Sequence, residues 1–447
     1  MSARVAAIVF LASTARVPLL TRCLASLTSE PHVGYLEVGG IAAVVARPRT
    51  RASRGTILFL NGGTALGCGH PAVRRVACGV ARAGYTAVVP ELPRLKDAEL
   101  TPATLEATVT VARELSRDRR IGLFGVSAGG SLAILAAADP ALAGRVNVVV
   151  ALAPWSDLDA IVRLATTGEY AAGARATAPL VREFVARSLR ATAPLEAHER
   201  AVAALLANTD PGRYDALRAA LPEETRIALD RLSPAQVVGQ VQAPIELASA
   251  PDDGYFPLEE AEALAAVAPD ARLTVSSLLD HVRLRPSLRD VRDVIRFYRF
   301  TARSLAAVAG KRSGGGSPMK NNIAEPARFL AVGTAGYVVN LLAFALLYAA
   351  GAAYAAASIV AYLVANGLMY IGNRYFTFRL GHRGFWSAYA RYLAVGLFVA
   401  ALTAAMLIAL VKGAGSDPRL GQAVALLLVT PIAFVLFKRW TFRVQSR

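Results

Sequence analysis

The chain has 447 residues, enough for two or three domains, and 55% of them are hydrophobic. Its formal net charge of +17 suits nucleic acid or an anionic membrane surface as a partner. The sequence contains no arginine-rich helix interleaved with aromatic residues and no zinc-finger spacing, which argues against nucleic acid. The hydrophobic excess is concentrated in residues 329–437, where four long apolar stretches favour a membrane.

Cysteine usage and the lack of cofactor motifs further limit the classes of protein to which the chain can belong. Cys23, Cys68 and Cys78 are an odd set without metal-ligand spacing, which fits a reducing compartment. There is no P-loop, and the N-terminal glycines do not form a dinucleotide fingerprint. The sequence therefore supports neither a metal nor a nucleotide cofactor.

The N-terminal residues 1–32 allow two interpretations. Arg4 followed by an apolar run is similar to a short secretory signal, but Arg16 and Arg22 interrupt the residues after that run. An amphipathic helix that lies on the domain or on the membrane is therefore favoured over a cleaved signal.

From residue 34 onward, strand and helix patterns alternate. GYLEVGGIAAVVARP predicts a hairpin that turns at Gly39 and Gly40. Apolar strands are predicted at 56–63, 85–92, 146–154, 243–250 and 272–278, and helices at 71–83, 102–117, 257–267 and 287–306. Continuous apolar strands that alternate with helices indicate a mostly parallel sheet covered on both faces.

The segment RIGLFGVSAGGSLAILAAAD (120–139) carries the clearest chemical signal. An apolar run ends at Gly125, and a small-residue helical pattern begins just after Ser127. A strand that turns sharply into a helix exposes the residue at its apex, and glycines on either side leave room for that turn. This context predicts that Ser127 is a nucleophile, against the alternative of a structural glycine turn.

Residues 155–240 interrupt the alternation of strands and helices. They are rich in Ala, Arg and Glu, helical in period, and contain no convincing strand. We interpret them as a helical cap over the active-site face, with a plain surface insertion as the alternative.

A nucleophilic serine needs a base and a carboxylate that orients the base. The chain has five histidines: His32, His70, His198, His281 and His382. His281 directly follows the last predicted strand, whereas His70 follows the glycine loop NGGTALGCG and is a second candidate for the pocket. PDDGYFP (251–257) follows the penultimate strand and offers two adjacent carboxylates. The order serine, aspartate, histidine is the order expected of such a site.

Residues 33–308 resemble an α/β-hydrolase, closest to esterases and lipases with an H-G-G-type loop and a GxSAGG elbow. The resemblance implies a Ser127–Asp253–His281 triad, with Asp253 preferred over Asp252 because of its position in the family's D-x-x-V/F-P pattern. It also implies oxyanion donors, which are the backbone N–H groups of Ala128 and of the loop formed by Gly62, Gly63 and Thr64. The chain departs from the family at Asn61, where the esterases carry histidine, but backbone donors survive that change.

A Gly/Ser-rich stretch, residues 309–322, predicts a flexible linker before the apolar region. Four membrane spans are predicted at 329–350, 354–372, 389–411 and 420–437. Basic residues cluster before the first span, between the second and third, and after the fourth, so the positive-inside rule places both the hydrolase-like domain and the C-terminus in the cytoplasm. A soluble four-helix bundle, the alternative, would need charged outer faces that these segments lack.

This apolar region also contains an internal repeat. RFLAVG begins at Arg328 and RYLAVG begins 63 residues later at Arg391, whereas NRYFTFR and KRWTFR end 64 residues apart. Two helical hairpins of common ancestry, each closing on a basic-aromatic-Thr-Phe signature, are therefore predicted.

Residues 323–447 resemble the GtrA-like family of small four-helix membrane proteins. The resemblance rests on RFLAVG with Asn340 in the first span and on the two signatures, NRYFTF at 373–378 and KRWTF at 438–442. It implies a role in moving or presenting polyprenyl-phosphate-linked sugars during cell-surface polysaccharide synthesis, with a glycosyltransferase as partner. Candidate lipid-phosphate contacts are Arg374, Arg391, Lys438 and Arg439. The alternative role for these residues is charge anchoring at the membrane interface.

Two functions are compatible with this organisation. The first is a membrane-tethered serine hydrolase that cleaves an acyl ester or thioester of a lipid-linked or cell-envelope precursor. The second is a non-enzymatic GtrA-like translocase of lipid-linked sugars, in which the hydrolase-like domain is a degenerate regulator or a docking module. Retention of all three triad residues favours the first.

Overall fold

The computed structural model describes residues 3–14, 29–49, 52–170, 173–175, 177–192, 196–284, 291–310, 324–350, 354–378, 385–408 and 428–441. The chain divides into two compact units, Met1–Ser313 and Gly314–Arg447. From residue 311 onward, the predicted linker lies outside the described residues, so its flexibility stays a prediction.

An eight-stranded sheet forms the centre of the N-terminal unit. Its strands are β1 (His32–Val38), β2 (Ile41–Arg47), β3 (Thr56–Leu60), β4 (Thr86–Pro90), β5 (Ile121–Val126), β6 (Val146–Leu152), β9 (Ile245–Ser249) and β10 (Ala271–Val275). They lie in the order β1-β2-β4-β3-β5-β6-β9-β10. β2 pairs antiparallel with β1 and β4, and every other pair is parallel. Gly39 and Gly40 both have positive φ, which permits the two-residue turn between β1 and β2. The predicted hairpin and the mostly parallel sheet are confirmed.

Eleven helices of the N-terminal unit have the following bounds. They are α1 (Ala3–Thr14), α2 (Pro71–Arg82), α3 (Pro102–Leu115), α4 (Ala128–Ala137), α5 (Leu158–Thr167), α6 (Pro179–Ala191), α7 (Glu196–Ala207), α8 (Tyr214–Ala219), α9 (Glu223–Arg231), α10 (Leu258–Val267) and α11 (Val291–Val308). Alternate residues of β3 enter two separate cores: Leu58 and Leu60 pack with α3, α4 and α10, whereas Ile57 and Phe59 pack with α1, α2 and α11. Helices therefore cover both faces of the sheet, as predicted.

The first helix, α1, lies on the domain in a layer outside the sheet. Ala6 and Ala7 are fully buried against α2 and α11. A Cβ atom added to Gly79 of α2 would lie 3.3 Å from Thr14 and 3.4 Å from Phe10. Small residues on both helices thus permit the close approach of α1 to α2.

Helices α5 to α9 lie within residues 155–240, the predicted cap, and this segment also contains a feature that the sequence did not predict. β7 (Glu169–Tyr170) and β8 (Gly173–Ala174) pair as a short antiparallel hairpin. The expectation of no strand in 155–240 is therefore wrong, because a two-residue strand is too short to produce an alternating apolar pattern. The hairpin is attached to the sheet domain through Tyr170, whose hydroxyl donates to Glu260 of α10 at 2.6 Å.

The parallel strands define two edges of the sheet. The carboxyl edge follows Leu60, Val126 and Ser249, and the amino edge precedes Thr56 and Ile121. α11 ends at the amino edge, where the Val308 carbonyl accepts a hydrogen bond from Asn147 Nδ2 at 3.0 Å. Cβ atoms added to Gly55 or Gly122 would lie within 2.9 Å of Val308. The chain therefore leaves the N-terminal unit at the amino edge.

The described part of the C-terminal unit is helical. It comprises α12 (Ala324–Ala349), α13 (Tyr354–Ile371), a π-helix (Gly372–Thr377), α14 (Phe385–Ile408), helical residues 428–436 and a second π-helix (Phe437–Thr441). Residues 409–427, which include the start of the fourth predicted span, lie outside the described residues. Among the helices that are described, none is both long and apolar enough to cross a membrane.

The two π-helices coincide with the two copies of the repeated signature. Thr377 and Thr441 occupy the same place in the two copies, and both are 1% exposed. Tyr392 stacks on Phe437 at a centroid distance of 4.5 Å, and its hydroxyl accepts a hydrogen bond from Asn373 Nδ2 at 3.4 Å. The sequence repeat is thus a structural repeat at these positions.

Candidate active site

Ser127 lies at the turn between β5 and α4, in a backbone conformation that is rare for a residue with a side chain. Its φ is 55° and its ψ is −127°. A Cβ atom on Gly125 would overlap the Gly129 carbonyl, and one on Gly129 would overlap the Leu60 carbonyl. Glycine is therefore required two residues before and two residues after Ser127, which is the physical basis of the GxSxG pattern.

The groups proposed as oxyanion donors differ in their placement. Ala128 is the first residue of α4, so its N–H has no carbonyl within the helix to donate to. Gly62 lies against Ser127, since a Cβ atom added to it would be 3.1 Å from Ser127 Cβ. Thr64 is part of a turn in which its carbonyl accepts from the Gly67 N–H at 2.8 Å. Gly62 and Ala128 thus lie beside Ser127.

Asn61, the residue that departs from the esterase pattern, has a defined partner. Its side chain is buried, and Nδ2 donates to the Gly62 carbonyl at 2.8 Å. The carbonyl of one residue and the N–H of the next point in opposite directions across a trans peptide bond. By holding the Gly62 carbonyl, Asn61 therefore fixes the direction of the Gly63 N–H.

Asp253 and His281 form a directly hydrogen-bonded pair. His281 Nδ1 lies 2.9 Å from Asp253 Oδ2 and 3.1 Å from Oδ1. The Asp253 carboxylate is buried, and it also accepts from the N–H groups of Tyr255 and Phe256 at 2.8 and 3.2 Å. The neighbouring Asp252 is exposed. The carboxylate beside the imidazole is therefore that of Asp253.

The imidazole of His281 is held between aromatic rings. Tyr255 stacks on it at a centroid distance of 4.2 Å, and Phe256 meets it edge to face at 5.4 Å. His281 has φ 54° and lies in the turn between two short strands, β11 (Leu279–Asp280) and β12 (Arg283–Leu284). Sequence reasoning missed these ring contacts and this hairpin, although the aromatic pair Tyr255–Phe256, separated from Asp253 by one glycine, was a usable signal.

The remaining histidines have other positions. His70 Nδ1 accepts from the Ala72 N–H at 3.2 Å and so caps α2. His32 begins β1, His198 lies in α7, and His382 lies outside the described residues.

Among the described residues, no hydrogen bond joins Ser127 Oγ to His281. Such bonds are commonly long without substrate and shorten when substrate binds.

A buried carboxylate supports the segment that leads to His281. Asp293 of α11 accepts from the N–H and hydroxyl of Ser277, both at 2.7 Å. Burial opposes ionisation of Asp293, but these hydrogen bonds and Arg296 outweigh it and hold the pKa of the carboxyl below its ordinary value. Sequence reasoning missed Asp293 because nothing local indicates that it reaches 16 residues back.

The candidate lipid-phosphate contacts in the C-terminal unit fall into three groups. Arg374 is 3% exposed, and its Nη1 donates to the Tyr370 hydroxyl at 3.1 Å. Arg391 is exposed. The side chains of Lys438 and Arg439 lie outside what the structure describes. The structure therefore does not bring these four residues together as one described site.

A mostly parallel sheet of this strand order, with a serine elbow and an Asp–His pair at its carboxyl edge, defines the N-terminal unit as an α/β-hydrolase fold. Within the described residues, no three His, Cys, Asp or Glu side chains lie where they could hold a metal ion.

Residues 328–442 match the family model described as GtrA/DPMS, transmembrane domain. This match indicates a membrane protein.

Comparison with solved structures identifies hydrolases that are similar to the N-terminal part. An acylaminoacyl peptidase of Pyrococcus horikoshii is 14% identical, with 67% of this chain and 45% of that chain covered and a TM-score of 0.43. An esterase/lipase from an uncultured bacterium is 17% identical, covers 65% and 93% of the two chains, and has a TM-score of 0.38. A 2,6-dihydroxy-pseudo-oxynicotine hydrolase is 17% identical, covers 67% and 74%, and has a TM-score of 0.40. The chain thus spans less than half the length of the peptidase. No curated protein matches the sequence.

Proposed function

We propose that the N-terminal unit is a serine hydrolase that cleaves a carboxylic ester or thioester. Ser127 is the nucleophile, His281 the general base and Asp253 the carboxylate that orients it. The observation that carries the proposal is the buried Asp253–His281 hydrogen bond at the same edge of the sheet as the strained Ser127. A degenerate regulatory domain would have no need to keep a carboxylate, an imidazole and a nucleophile elbow together.

In the first half of the reaction, Ser127 Oγ attacks the substrate carbonyl carbon while His281 Nε2 takes the hydroxyl proton. The carbonyl oxygen becomes an oxyanion, which the N–H groups of Ala128 and of the Gly62–Thr64 loop stabilise. The tetrahedral intermediate then expels the alcohol or thiol, which receives the proton from His281. An acyl group remains on Ser127.

In the second half, a water molecule attacks the acyl carbon as His281 removes its proton. The bond between the acyl carbon and Ser127 Oγ breaks, and the serine regains its proton from His281. The carboxylic acid leaves. Asp253 stabilises the imidazolium that forms in each half and fixes the tautomer with the proton on Nδ1.

The C-terminal unit is proposed to hold the enzyme at the inner cell membrane through four spans, with the hydrolase domain and the C-terminus in the cytoplasm. The GtrA/DPMS match and the resemblance to GtrA-like proteins support a role with polyprenyl-phosphate-linked sugars in cell-surface polysaccharide synthesis, alongside a glycosyltransferase. A Gly-rich linker of this length spans about 20 Å on average. The tether keeps the enzyme near lipid-borne molecules, so the proposed substrate is an amphiphile or a lipid-linked glycan precursor.

The test is covalent labelling of the full chain in membranes with a fluorophosphonate. The wild-type chain and a Ser53→Ala control, which removes an exposed hydroxyl far from the elbow in sequence, should label equally. Ser127→Ala should not label and should not hydrolyse a short soluble ester. Labelling of Ser127→Ala at wild-type level would show that the nucleophile is another residue.

A further inference from the structure

We propose that the outer surface of α1, α2 and α11 docks the hydrolase unit side-on against an anionic lipid bilayer. This surface is called the basic layer, and α3, α4 and α10 on the other face of the sheet are called the acidic layer. The proposal rests on the membrane location that the GtrA/DPMS match indicates, and it does not depend on Ser127 being a nucleophile.

The two layers carry opposite charge. The basic layer contains eight arginines and one aspartate, whereas the acidic layer contains one arginine and five glutamates. Five arginines of the basic layer are exposed: Arg4, Arg74, Arg292, Arg296 and Arg299. The single aspartate, Asp293, is buried and already holds Ser277. The basic layer is therefore electrostatically complementary to anionic headgroups, and the acidic layer is not.

The basic layer also exposes aliphatic side chains. α1 buries its alanines against the domain and turns Val5 and Ile8 outward, where they are 47% and 55% exposed. On α11, Ile295 is 40% exposed between exposed arginines. At a membrane interface, exposed aliphatic side chains insert among the lipids while neighbouring arginines contact the anionic headgroups.

These features lie on one continuous surface. α1 packs against both α2 and α11. Burial raises the pKa of the Tyr298 phenol on α11, and the charge of Arg4 acts in the opposite direction, so Arg4 lies close to α11. The exposed residues of α1 therefore adjoin those of α11.

The course of the chain makes this orientation matter for access to the active site. α11 ends at the amino edge, whereas Ser127, Asp253 and His281 lie at the carboxyl edge. The two edges are separated by about 27 Å, the length of α11. A flexible tether alone would not hold the carboxyl edge in any fixed orientation to the bilayer. Docking along the basic layer lays α11 parallel to the lipid surface, so the carboxyl edge reaches the level of the headgroups.

The experiment measures the depth of single labelled positions in the full chain reconstituted in bilayers. A fluorophore is attached to Ile8→Cys in the basic layer or to Val267→Cys, which is 57% exposed at the end of α10 in the acidic layer, with the three native cysteines replaced by alanine. Quenching by nitroxide-labelled lipid is compared in phosphatidylcholine and in a mixture with phosphatidylglycerol. We expect strong quenching of position 8 in the anionic bilayer, weak quenching in phosphatidylcholine, and none of position 267.

Charge variants complete the test. Arg299→Gln should lower the ratio of docked to undocked protein about fivefold, the effect of one arginine near an anionic surface. Arg113→Gln in the acidic layer should leave the ratio unchanged. Equal quenching of positions 8 and 267 would overturn the proposal. So would quenching of position 8 that is the same with and without phosphatidylglycerol. Protection of position 8 from lipid together with cross-linking between two labelled copies would instead assign this surface to a dimer.

Discussion

The two edges of the central sheet differ in backbone conformation and in packing. At the carboxyl edge, Ser127 and His281 adopt positive φ, and side-chain hydrogen bonds hold loops in unusual conformations. At the amino edge, glycines let α11 pack closely on the strands, and Val308 closes the core. The difference shows that the unit concentrates backbone strain where groups must project and close packing where the chain must be anchored. Substitutions at the carboxyl edge should therefore change activity, and substitutions at the amino edge should change stability.

The largest expected effect separates two adjacent carboxylates at the carboxyl edge. Asp253→Asn should lower kcat about 10⁴-fold, because an amide cannot stabilise the imidazolium of His281 or fix its tautomer. Asp252→Asn alters an exposed neighbour and should leave kcat within a few-fold of wild type. Ester hydrolysis by both variants, with thermal melts to establish that each is folded, is the measurement. A larger loss in Asp252→Asn than in Asp253→Asn would reverse the roles of the two carboxylates.

A pair of glycine substitutions sharpens the comparison between the edges. The methyl of Gly62→Ala would press on Ser127 Cβ and displace the proposed nucleophile, lowering kcat about 100-fold. The methyl of Gly122→Ala would lie 2.7 Å from Val308, so it should lower the free energy of unfolding by about 1–3 kcal/mol. Both variants are measured for specific activity of the folded protein and for denaturant unfolding. Gly62→Ala should lose mainly activity, and Gly122→Ala should lose mainly stability. If both variants lost activity alone, or both lost stability alone, the two edges would not differ in the way described.

The oxyanion loop provides a smaller effect at the carboxyl edge. Asn61→Ala removes the donor that holds the Gly62 carbonyl, so the Gly63 N–H loses its fixed direction. We expect kcat to fall about tenfold with KM little changed, since the lost alignment matters most for charge that develops in the transition state. Steady-state kinetics on a short soluble ester decide this. A rise in KM at constant kcat would instead mean that Asn61 contributes to substrate binding.

The smallest effect concerns pH and stability. Because the folded-state pKa of Asp293 lies below its ordinary value, its carboxylate stabilises the fold at neutral pH, and this stabilisation is lost as pH falls below about 4. Asp293→Asn should therefore be less stable than wild type by about 1–2 kcal/mol at pH 7. The difference should shrink as pH is lowered through this range. Urea unfolding at several pH values measures it, and a difference independent of pH would mean that the charge is not what stabilises the segment.

The sequence predicted the repeating parts of this structure and the elements at the catalytic edge. Continuous apolar runs between helical patterns can be recognised as buried strands. Gly125 and Gly129 mark a turn in which their positions tolerate no side chain. Short hairpins such as β7–β8 were not predicted, because a strand of two residues is too short to show an alternating pattern of apolar residues. Glu260 escaped for another reason: it accepts from Ser156 and Asp157, more than 100 residues away, and no local pattern encodes such a contact. The roles of Asn61 and Asp293 likewise depend on tertiary contacts.

Every residue of α4 is buried, and none of them is charged. A helix without a polar face gains little until the sheet beneath it and the layer above it are both in place. Ser127 precedes this helix directly, so its strained conformation depends on the packing of α4 between those two layers. Asp253 and His281 enter the site from segments made more than 120 residues later. The Ser127 turn, the Asp253 carboxylate and the His281 imidazole therefore come together only when the whole unit is folded.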